Sequence, residues 1–240
     1  MAAAAVGPHR RLTLPHLIRL FQEAALRHTD RLGISSHDLT RELGLTWVLH
    51  RQTVTCRRWP ALGEQVSVVT LPTRIDRKLI TYRDYYLLDA ADRILACSAS
   101  TWSVMDVQSR RIRSIPPRVT DAIGELPSAG AGLEPPADKP APPTTPTDRT
   151  RTQVAFAQLD FNDHLTNPAF PELMLEPLGL PYLRDHLPVM ADMAYHREAR
   201  YADELEAVVS PGTETNTFYH ALYRGSGELL ASMQTRWRKT

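Results

Sequence analysis

The polar residues between positions 160 and 167 are the part of this sequence best suited to chemistry. The string DFNDHLTN places carboxylate, amide and imidazole groups directly before Pro168, where a short helix is predicted. The N-terminus of a helix offers free backbone N–H groups and a partial positive charge, which can hold a developing oxyanion. If the segment is extended, alternation aims Asp160, Asn162 and His164 the same way and turns Phe161 into the core. This arrangement predicts a site for attack on a carbonyl group.

The composition of this string also fits a simpler structure, an Asx-rich turn that caps the following helix, and both interpretations stay open at this point. A second group of residues has side chains typical of metal ligands: His186, His196, His220, Asp185, Asp192 and Asp203. Their spacing matches neither H-E-x-x-H nor a paired C-x-x-C, so we expect no metal site. No cofactor is expected either, because a chain with 11 Gly has no glycine-rich phosphate loop.

The overall composition argues against several classes of protein. Lys and Arg total 28 against 27 Asp and Glu, whereas a general nucleic-acid-binding protein has a marked basic excess. Cys56 and Cys97 are too few for a disulfide scaffold and lie in apolar runs, which indicates a reducing compartment. No run approaches the ~20 apolar residues of a membrane span, and the apolar stretch in MAAAAVGPHR is too short for a signal peptide. We therefore expect a soluble, cytoplasmic protein with no affinity for nucleic acid or membranes.

A proline-rich segment divides the chain. Seven of the 19 prolines fall between Pro127 and Pro146, where apolar side chains are almost absent and neither helix nor strand can propagate. We predict an N-terminal domain at 10–124, a linker at 125–148 and a C-terminal domain at 149–240. The linker is expected to be mobile and largely uninvolved in the core.

The N-terminal part predicts one amphipathic helix followed by strands. Thr13 is the expected N-cap with Pro15 in the first turn, and apolar residues then recur at helical spacing until Gly33. Four later runs are rich in β-branched and aromatic residues: TWVLHRQTVTC, EQVSVVTLPTRI, ITYRDYYLLD and RILACSASTWSVMD. A helix followed by antiparallel strands is an α+β layout.

The C-terminal part repeats that order. Asn167, as N-cap before Pro168, predicts the start of a short helix in PAFPELMLEPLG. Four strand-like segments follow: VMADMAYHREA, DELEAVVS, TNTFYHALYR and ELLASMQTRWRK. The strings ILACSASTW (94–102) and LLASMQTRW (229–237) are alike and end on the same Trp. An internal duplication of one helix-plus-sheet unit accounts for this likeness, with chance similarity of two hairpins as the alternative.

The order and spacing of these strings resemble those of the acyl-acyl-carrier-protein thioesterases. LDFNDHLTNPAF is similar to that family's L-D-x-N-x-H-V-N-N-x-x-Y motif, and AYHREA is similar to its Y-R-R-E-C segment. In the front half, LTWVLHRQTVTCRRWPALGEQVSVVT and ASTWSVMDVQSRRIRSIP also resemble family runs. The likeness covers most of residues 12–240 outside the linker. It implies an α+β fold of two tandem hot-dogs, each a helix wrapped by an antiparallel sheet.

The resemblance also implies an activity and a set of catalytic residues. The activity is hydrolysis of the thioester of fatty acyl-acyl carrier protein (acyl-ACP), releasing free fatty acid and holo-ACP in fatty-acid biosynthesis. The family's catalytic residues fall on Asp160, Asn162, His164 and, on a strand, Glu198. The residue after that glutamate, Cys in many plant members, is Ala199 here, which excludes a cysteine-based mechanism.

Thioester hydrolysis assigns a task to each of these residues. Glu198 would activate water, with His164 orienting that water, and Asn162 would hold the thioester oxygen together with helix N–H groups. Asp160 would position its neighbours, although its direct attack to form a transient anhydride stays open. Without the resemblance, Glu198 would be interpreted as one half of a surface ion pair with a neighbouring arginine.

Two alternatives to this function stay open. An acyl-CoA thioesterase of the same fold would use the same residues, since both substrates present a pantetheine thioester. A non-catalytic acyl-binding protein is suggested by Thr166 and Phe170, which replace an amide and a hydroxyl of the family motif.

The expected partner is acyl carrier protein, which is acidic. Basic residues that could steer its docking are Arg57, Arg58, Arg74, Arg77, Lys78, Arg110, Arg111, Arg113 and Arg118, with ordinary solvated arginines as the alternative. The acyl chain is expected near the first helix, at positions among Leu17, Phe21 and Ala25, or these residues simply pack beneath the sheet. The oligomeric state stays open, with a homodimer as one alternative.

Overall fold

The protein folds around one large antiparallel sheet, seen here in a computed structural model that describes residues 1–128, 130–225 and 227–240. The strands in this part of the chain are β1 (Leu45–Cys56), β2 (Val66–Asp76), β3 (Ile80–Asp89), β4 (Ile94–Asp106), β5 (Ile112–Arg113), β6 (Asp148–Gln153), β7 (His186–Tyr195), β8 (Glu204–Pro211), β9 (Thr217–Arg224) and β10 (Glu228–Lys239). The α-helices are α1 (Leu14–Arg31), α2 (Ser36–Leu43), α3 (Pro117–Ile123), α4 (Ala169–Leu175) and α5 (Gly179–Asp185).

The sheet is built from two similar halves that meet at its centre. Its strands lie in the order β2-β3-β4-β1-β7-β10-β9-β8-β6, and the short β5 pairs with β4. The junction is the antiparallel pairing of β1 with β7, in register from Arg51 opposite Ala194 to Thr55 opposite Met190. Going outwards from this junction, β4 corresponds to β10, β3 to β9 and β2 to β8. The four strands predicted in each half are confirmed, whereas β6, α2 and α3 were not predicted.

Matching hydrogen bonds support the predicted duplication. In β4 the indole of Trp102 donates to the hydroxyl of Ser100 at 2.7 Å, and in β10 the indole of Trp237 donates to Thr235 at the same distance. These residues occupy the same places in the two similar strings. Chance similarity of two hairpins would not reproduce both the strand order and these side-chain contacts.

The helix α1 covers the N-terminal half of the sheet. Its apolar stripe is fully buried, and Phe21 stacks on Tyr85 of β3 with ring centroids 5.1 Å apart. The predicted start after Thr13 is confirmed, but the Thr13 hydroxyl lies 2.8 Å from His16 Nδ1 and makes no side-chain bond to the helix backbone. The helix ends at Arg31, just before Gly33 takes up a left-handed conformation.

The short helix predicted in the C-terminal half is confirmed, and the helical region continues beyond it in separate pieces. α4 ends at Leu175, a 3-10 turn spans Glu176–Leu178, and α5 then begins at Gly179. Pro177 and Pro181 lack the N–H that a continuous helix requires, and Gly179 has a φ of +77°. The sequence Glu-Pro-Leu-Gly-Leu-Pro therefore breaks this helix into short pieces.

The proline-rich segment, expected to be largely uninvolved in the core, makes hydrogen bonds to side chains of the sheet. The buried guanidinium of Arg51 donates to the carbonyl groups of Pro136 and Asp138. Further along, the Ser232 hydroxyl donates to the Pro140 carbonyl at 2.7 Å. Extended proline-rich backbone has no internal hydrogen bonds, so its carbonyl groups accept bonds from the side chains beneath them.

A buried ion pair lies under this segment at the junction of the halves. Arg51 of β1 donates to both carboxylate oxygens of Asp192 on β7, at 2.8 and 2.6 Å. The two residues are 5% and 3% exposed. Since an unpaired buried charge is very costly, this pair constrains which strands can meet at the centre of the sheet.

None of the helices in the described ranges is both long and apolar enough to cross a membrane.

His220 predicts how stability depends on pH. Its ring lies fully buried beneath α4, with Nδ1 2.9 Å from the Met174 carbonyl and Nε2 2.8 Å from the Thr235 hydroxyl. Burial lowers the pKa of His220 to about 4, from 6.5. The unfolded chain therefore binds the proton more tightly, so the stabilisation is complete above pH 6.5 and is lost as the pH falls towards 4.

Between pH 6.5 and pH 4, we expect protonation of His220 in the unfolded chain to lower the unfolding free energy by about 3 kcal/mol. Urea denaturation at a series of pH values measures it, with His220→Gln as the comparison. The slope between pH 4 and 6.5 should be smaller in the variant. Equal slopes in the two proteins would contradict the assignment.

Candidate active site

The loop that carries the candidate residues is a tight hairpin rather than an extended segment. Leu159 and Leu165 pair as an antiparallel bridge, and the Asp160 N–H donates to the His164 carbonyl at 2.8 Å. Asp163 completes the turn with a φ of +60°. Phe161, expected in the core, is 69% exposed. The alternation expected for Asp160, Asn162 and His164 is therefore wrong.

Asp160 organises this hairpin through its side chain. Its Oδ1 accepts from the backbone N–H of Asn162 at 2.8 Å and from that of His164 at 3.2 Å. This is the Asx-type turn that composition alone suggested. The carboxylate thereby fixes the backbone on which both of the other candidates stand.

Glu198 comes together with His164, although it does not lie on a strand. β7 ends at Tyr195, and the segment after it runs alongside the hairpin, where the Leu165 N–H donates to the Ala199 carbonyl at 2.8 Å. As a result, His164 Nε2 lies 3.3 Å from Glu198 Oε1. The Arg224 guanidinium donates to the Glu198 carbonyl at 2.5 Å and holds the backbone in place.

A cavity of about 110 Å³ opens beside the hairpin, beneath α1. Its lining takes in Asp160 and Asn162 from the hairpin and Ala25 from the helix. From the sheet it takes residues of four adjacent strands, in the order β1, β4, β3 and β2: Trp47, Trp102, Arg83 and Pro72. The hairpin thus presents Asn162 to the cavity and His164 to Glu198.

Comparison with known protein families identifies both halves of the chain. Residues 2–123 match the acyl-ACP thioesterase N-terminal domain, and residues 143–239 match the acyl-ACP thioesterase C-terminal domain. The chain belongs to the acyl-ACP thioesterase family. A related sequence is the oleoyl-acyl carrier protein thioesterase, chloroplastic, of Coriandrum sativum, 24% identical over 96% of this chain. The match takes in 66% of that protein, so the chain spans just under two thirds of this relative's length.

Solved structures of acyl-ACP thioesterases share the fold. The 12:0-ACP thioesterase from Umbellularia californica superposes with a TM-score of 0.86 at 20% identity, covering 100% of this chain and 95% of that one. An acyl-ACP thioesterase from Bacteroides thetaiotaomicron gives 0.84 at 20% identity, covering 99% and 94%. The expected α+β double hot-dog fold is confirmed.

In this family member, Asn167 is a site residue that sequence reasoning assigned only to capping. The N-cap position is Pro168, and no side-chain cap bond is formed. Asn167 instead lines the cavity together with Asn162. Its position at the end of the family motif was the signal that could have identified it.

The backbone N–H groups at the start of α4 are occupied, which corrects their expected role. Ala169 donates to the Thr166 carbonyl at 2.9 Å and Phe170 to the Asn167 carbonyl at 3.3 Å. Asn162 and Asn167, which both line the cavity, carry side-chain amides that could donate hydrogen bonds from this side.

Arg110 is a second site residue that was not assigned to the site. It belongs to the β4–β5 hairpin of the N-terminal half, and its guanidinium contacts Glu198 Oε2. Several other arginines of the expected docking patch also have acidic partners: Arg58 pairs with Glu64, Arg74 with Glu134, Arg113 with Asp106 and Arg118 with Glu42. These pairs offset much of the positive charge that the sequence suggested.

The N-terminal half contains a second hairpin with the same backbone contacts as the one at 159–165 but with different side chains. Val6 and Leu12 form the same bridge, and Arg10 has a φ of +58°. The Leu12 N–H donates to the Pro60 carbonyl as Leu165 donates to Ala199, so Arg11 corresponds to His164 and Trp59 to Glu198. Trp59 is 1% exposed and packs in the core.

A buried charged residue, Arg83, forms part of the cavity lining. Arg83 is 7% exposed, and its Nη1 lies 3.2 Å from His28 Nδ1 and 3.2 Å from the Thr70 hydroxyl. Burial lowers the pKa of this guanidinium, and burial together with the nearby Arg83 lowers the pKa of His28. The rest of the lining includes Ala25, Leu26 and Trp47.

The other polar candidates lie apart from the site. His220 is buried beneath α4, Asp192 pairs with Arg51, and His196 contacts the Ser232 hydroxyl at 3.0 Å. Within the described residues, no group of three or more His, Cys, Asp or Glu side chains is arranged to hold a metal ion. Burial raises the pKa of the Cys56 thiol to about 12.

The turn geometry gives a prediction for Asp160. Asp160→Ala removes the acceptor for two backbone N–H groups and should lower the unfolding free energy by about 1–2 kcal/mol. Asp160→Asn keeps an acceptor oxygen and should recover most of that loss. Urea denaturation of the three proteins provides the measurement, and equal losses in both variants would show that the hydrogen bonds do not hold the hairpin.

Proposed function

We propose that this protein hydrolyses the thioester of fatty acyl-ACP, releasing free fatty acid and holo-ACP in fatty-acid biosynthesis. The observation that carries the proposal is the contact between His164 and Glu198, formed by the same hairpin that presents Asn162 to a cavity beneath α1. An imidazole and a carboxylate 3.3 Å apart can accept a proton from a water molecule bound beside them. A side-chain amide can polarise the carbonyl group of the thioester by donating a hydrogen bond to its oxygen. Family membership supplies the substrate class.

Glu198 is the proposed general base. It takes a proton from water while the water oxygen attacks the thioester carbon, and His164 orients that water or shares its proton. Both side chains are partly exposed, at 32% and 20%, so water reaches them. As the tetrahedral intermediate collapses, the C–S bond breaks and the departing pantetheine thiolate takes up the proton that Glu198 removed from water.

The oxyanion is assigned to the side-chain amides. Asn162 and Asn167 both line the cavity, so an acyl chain that fills the cavity brings its carbonyl oxygen towards them. Asp160 is assigned to positioning, because its Oδ1 already holds the N–H groups of Asn162 and His164.

We assign different roles to the two halves of the chain. Residues 10–124 form the acyl pocket, residues 149–240 carry the catalytic hairpin, and residues 125–148 connect them. Acyl carrier protein is the proposed partner. The cytoplasm is the proposed location, which the two free cysteines support because such thiols persist in a reducing compartment.

The direct test is thiol release from a panel of acyl thioesters on acyl carrier protein and on CoA. We expect turnover with a higher kcat/KM on the carrier protein for the same acyl chain. A higher kcat/KM on CoA thioesters would make acyl-CoA the substrate, with hydrolysis by the same residues. Stoichiometric acyl binding without turnover on any chain length would overturn the proposal in favour of a non-catalytic protein.

The division of roles at the site is tested by pH. Glu198→Gln removes the base and Asn162→Ala removes an oxyanion donor, and each should lower kcat by about 100-fold or more. Since the two losses are similar in size, the shape of the pH–rate profile distinguishes them. The acidic limb should disappear in Glu198→Gln and persist in Asn162→Ala. His164→Ala should also be severely impaired.

Near-normal activity with an intact acidic limb in Glu198→Gln would reject this base. Asp160 would then become the leading candidate, and the activity of Asp160→Asn, which keeps the turn, would decide between its roles.

The cavity predicts a steric control of chain length. Ala25 lines it, whereas Leu17 and Phe21 lie in the hydrophobic core. Ala25→Trp should fill the cavity and shift the preference towards shorter acyl chains by at least several-fold in relative kcat/KM. Ala24→Trp, one position along the same helix and outside the lining, is the matched control. An unchanged profile in a folded Ala25→Trp protein would place the acyl chain elsewhere.

A further inference from the structure

We infer that Arg110 is a positioning residue for Glu198, so that the N-terminal half completes the catalytic carboxylate of the C-terminal half. This inference rests on the proposed function of Glu198 as base. Arg110 does not touch the acyl cavity. Its guanidinium acts through Glu198 rather than on the substrate.

The hairpin that carries Arg110 has a fixed shape. Its backbone N–H donates to the Asp106 carbonyl at 2.9 Å, and the residue has a φ of +57°. The Asp106 carboxylate accepts from both the N–H and the hydroxyl of Ser109, at 2.7 and 2.8 Å. The pairing of β5 with β4 closes the hairpin. Arg110 therefore extends towards Glu198 from a structured turn rather than from a loose loop.

The two oxygens of the Glu198 carboxylate have different partners. Oε2 contacts the Arg110 guanidinium, and Oε1 lies 3.3 Å from His164 Nε2. Arg200 also approaches Oε1, at 3.5 Å, which is too long for a good hydrogen bond, and its side chain is 67% exposed. Among the described residues, these three are the charged or titratable side chains against the carboxylate. Arg110 is thus the contact that fixes the oxygen not facing His164.

This contact orders the Glu198 side chain. A partly exposed glutamate has several rotamers, and a charge-assisted bond to one oxygen selects the rotamer that directs the other oxygen to the imidazole. The oxygen that is proposed to take the proton from water is thereby held beside His164. Loss of Arg110 should therefore lower kcat more than it changes KM.

The first test compares Arg110→Met with Arg110→Lys in thiol-release assays on acyl thioesters. We expect Arg110→Met to lower kcat by about 10–100-fold with a smaller change in KM. Arg110→Lys keeps the charge but not the planar fork and should retain an intermediate activity. Arg93→Met is the control, because Arg93 pairs with Asp89 at the far end of β4.

A double-mutant comparison separates positioning from carrier docking. If Arg110 acts through Glu198, adding Arg110→Met to Glu198→Gln should lower the residual rate by less than about twofold. A further loss as large as that of Arg110→Met alone would mean that Arg110 acts independently of Glu198, and would overturn the inference.

A third measurement does not depend on turnover. Crystal structures of the wild type, Arg110→Met and Arg93→Met should show that Glu198 Oε1 stays beside His164 Nε2 in the wild type and in Arg93→Met and leaves that position in Arg110→Met. An unchanged Glu198 rotamer in a folded Arg110→Met protein would contradict the inference. If the wild type turns over no thioester, the proposed function fails, and this comparison of rotamers still decides the role of Arg110.

Discussion

The antiparallel pairing of β1 with β7 is the constraint on which the rest of the structure depends. The buried pair of Arg51 and Asp192 makes this pairing specific, because any other match of strands would leave a charge buried without a partner. Glu198 follows directly after β7, and Arg110 follows β4, the neighbour of β1 on the other side. One strand pairing therefore sets the distance between the carboxylate and the arginine that contacts it.

The duplicated architecture places two hairpins of the same backbone shape in the chain, and one of them has the side chains proposed for catalysis. Both hairpins have an equivalent β-bridge and a residue with left-handed backbone conformation at the same position of the turn, Arg10 in one and Asp163 in the other. The backbone shape alone therefore does not make a site. In the N-terminal hairpin, Trp59 occupies the place of Glu198 and packs into the core. The helices α1 and α4 also differ in whether a cavity lies between them and the sheet. The continuous α1 leaves a cavity against its half of the sheet, whereas Phe170 and Met174 of the short α4 are buried in the core.

Local patterns predicted most of the elements. The four strands of each half follow from runs of β-branched and aromatic residues, and α1 follows from its apolar periodicity and from Pro15. The likeness of residues 94–102 to 229–237 anticipated the equivalence of β4 and β10. Asp160, Asn162 and His164 were proposed because they share one short motif, and Glu198 because its own segment resembles a family motif; the structure places Glu198 beside His164.

Features that depend on distant contacts were not predicted. The contact between Arg110 and Glu198 joins residues that are 88 positions apart, and no local pattern encodes it. The exposure of Phe161 follows from the hairpin that Asp160 closes, whereas an alternating pattern assumed a straight strand. The linker looked mobile because its composition cannot form a core, but composition says nothing of carbonyl groups that accept bonds from buried Arg51 and Ser232.

The central claim is that an acyl thioester lies with its chain beneath α1 and its carbonyl at the catalytic hairpin. A crystal structure with a non-hydrolysable acyl-pantetheine analogue tests this most directly. The account predicts acyl carbons between Ala25 and the strands β1, β4 and β3, with the carbonyl oxygen within hydrogen-bond distance of Asn162 or Asn167. An acyl chain bound elsewhere, with this cavity empty and the carbonyl remote from the hairpin, would contradict it.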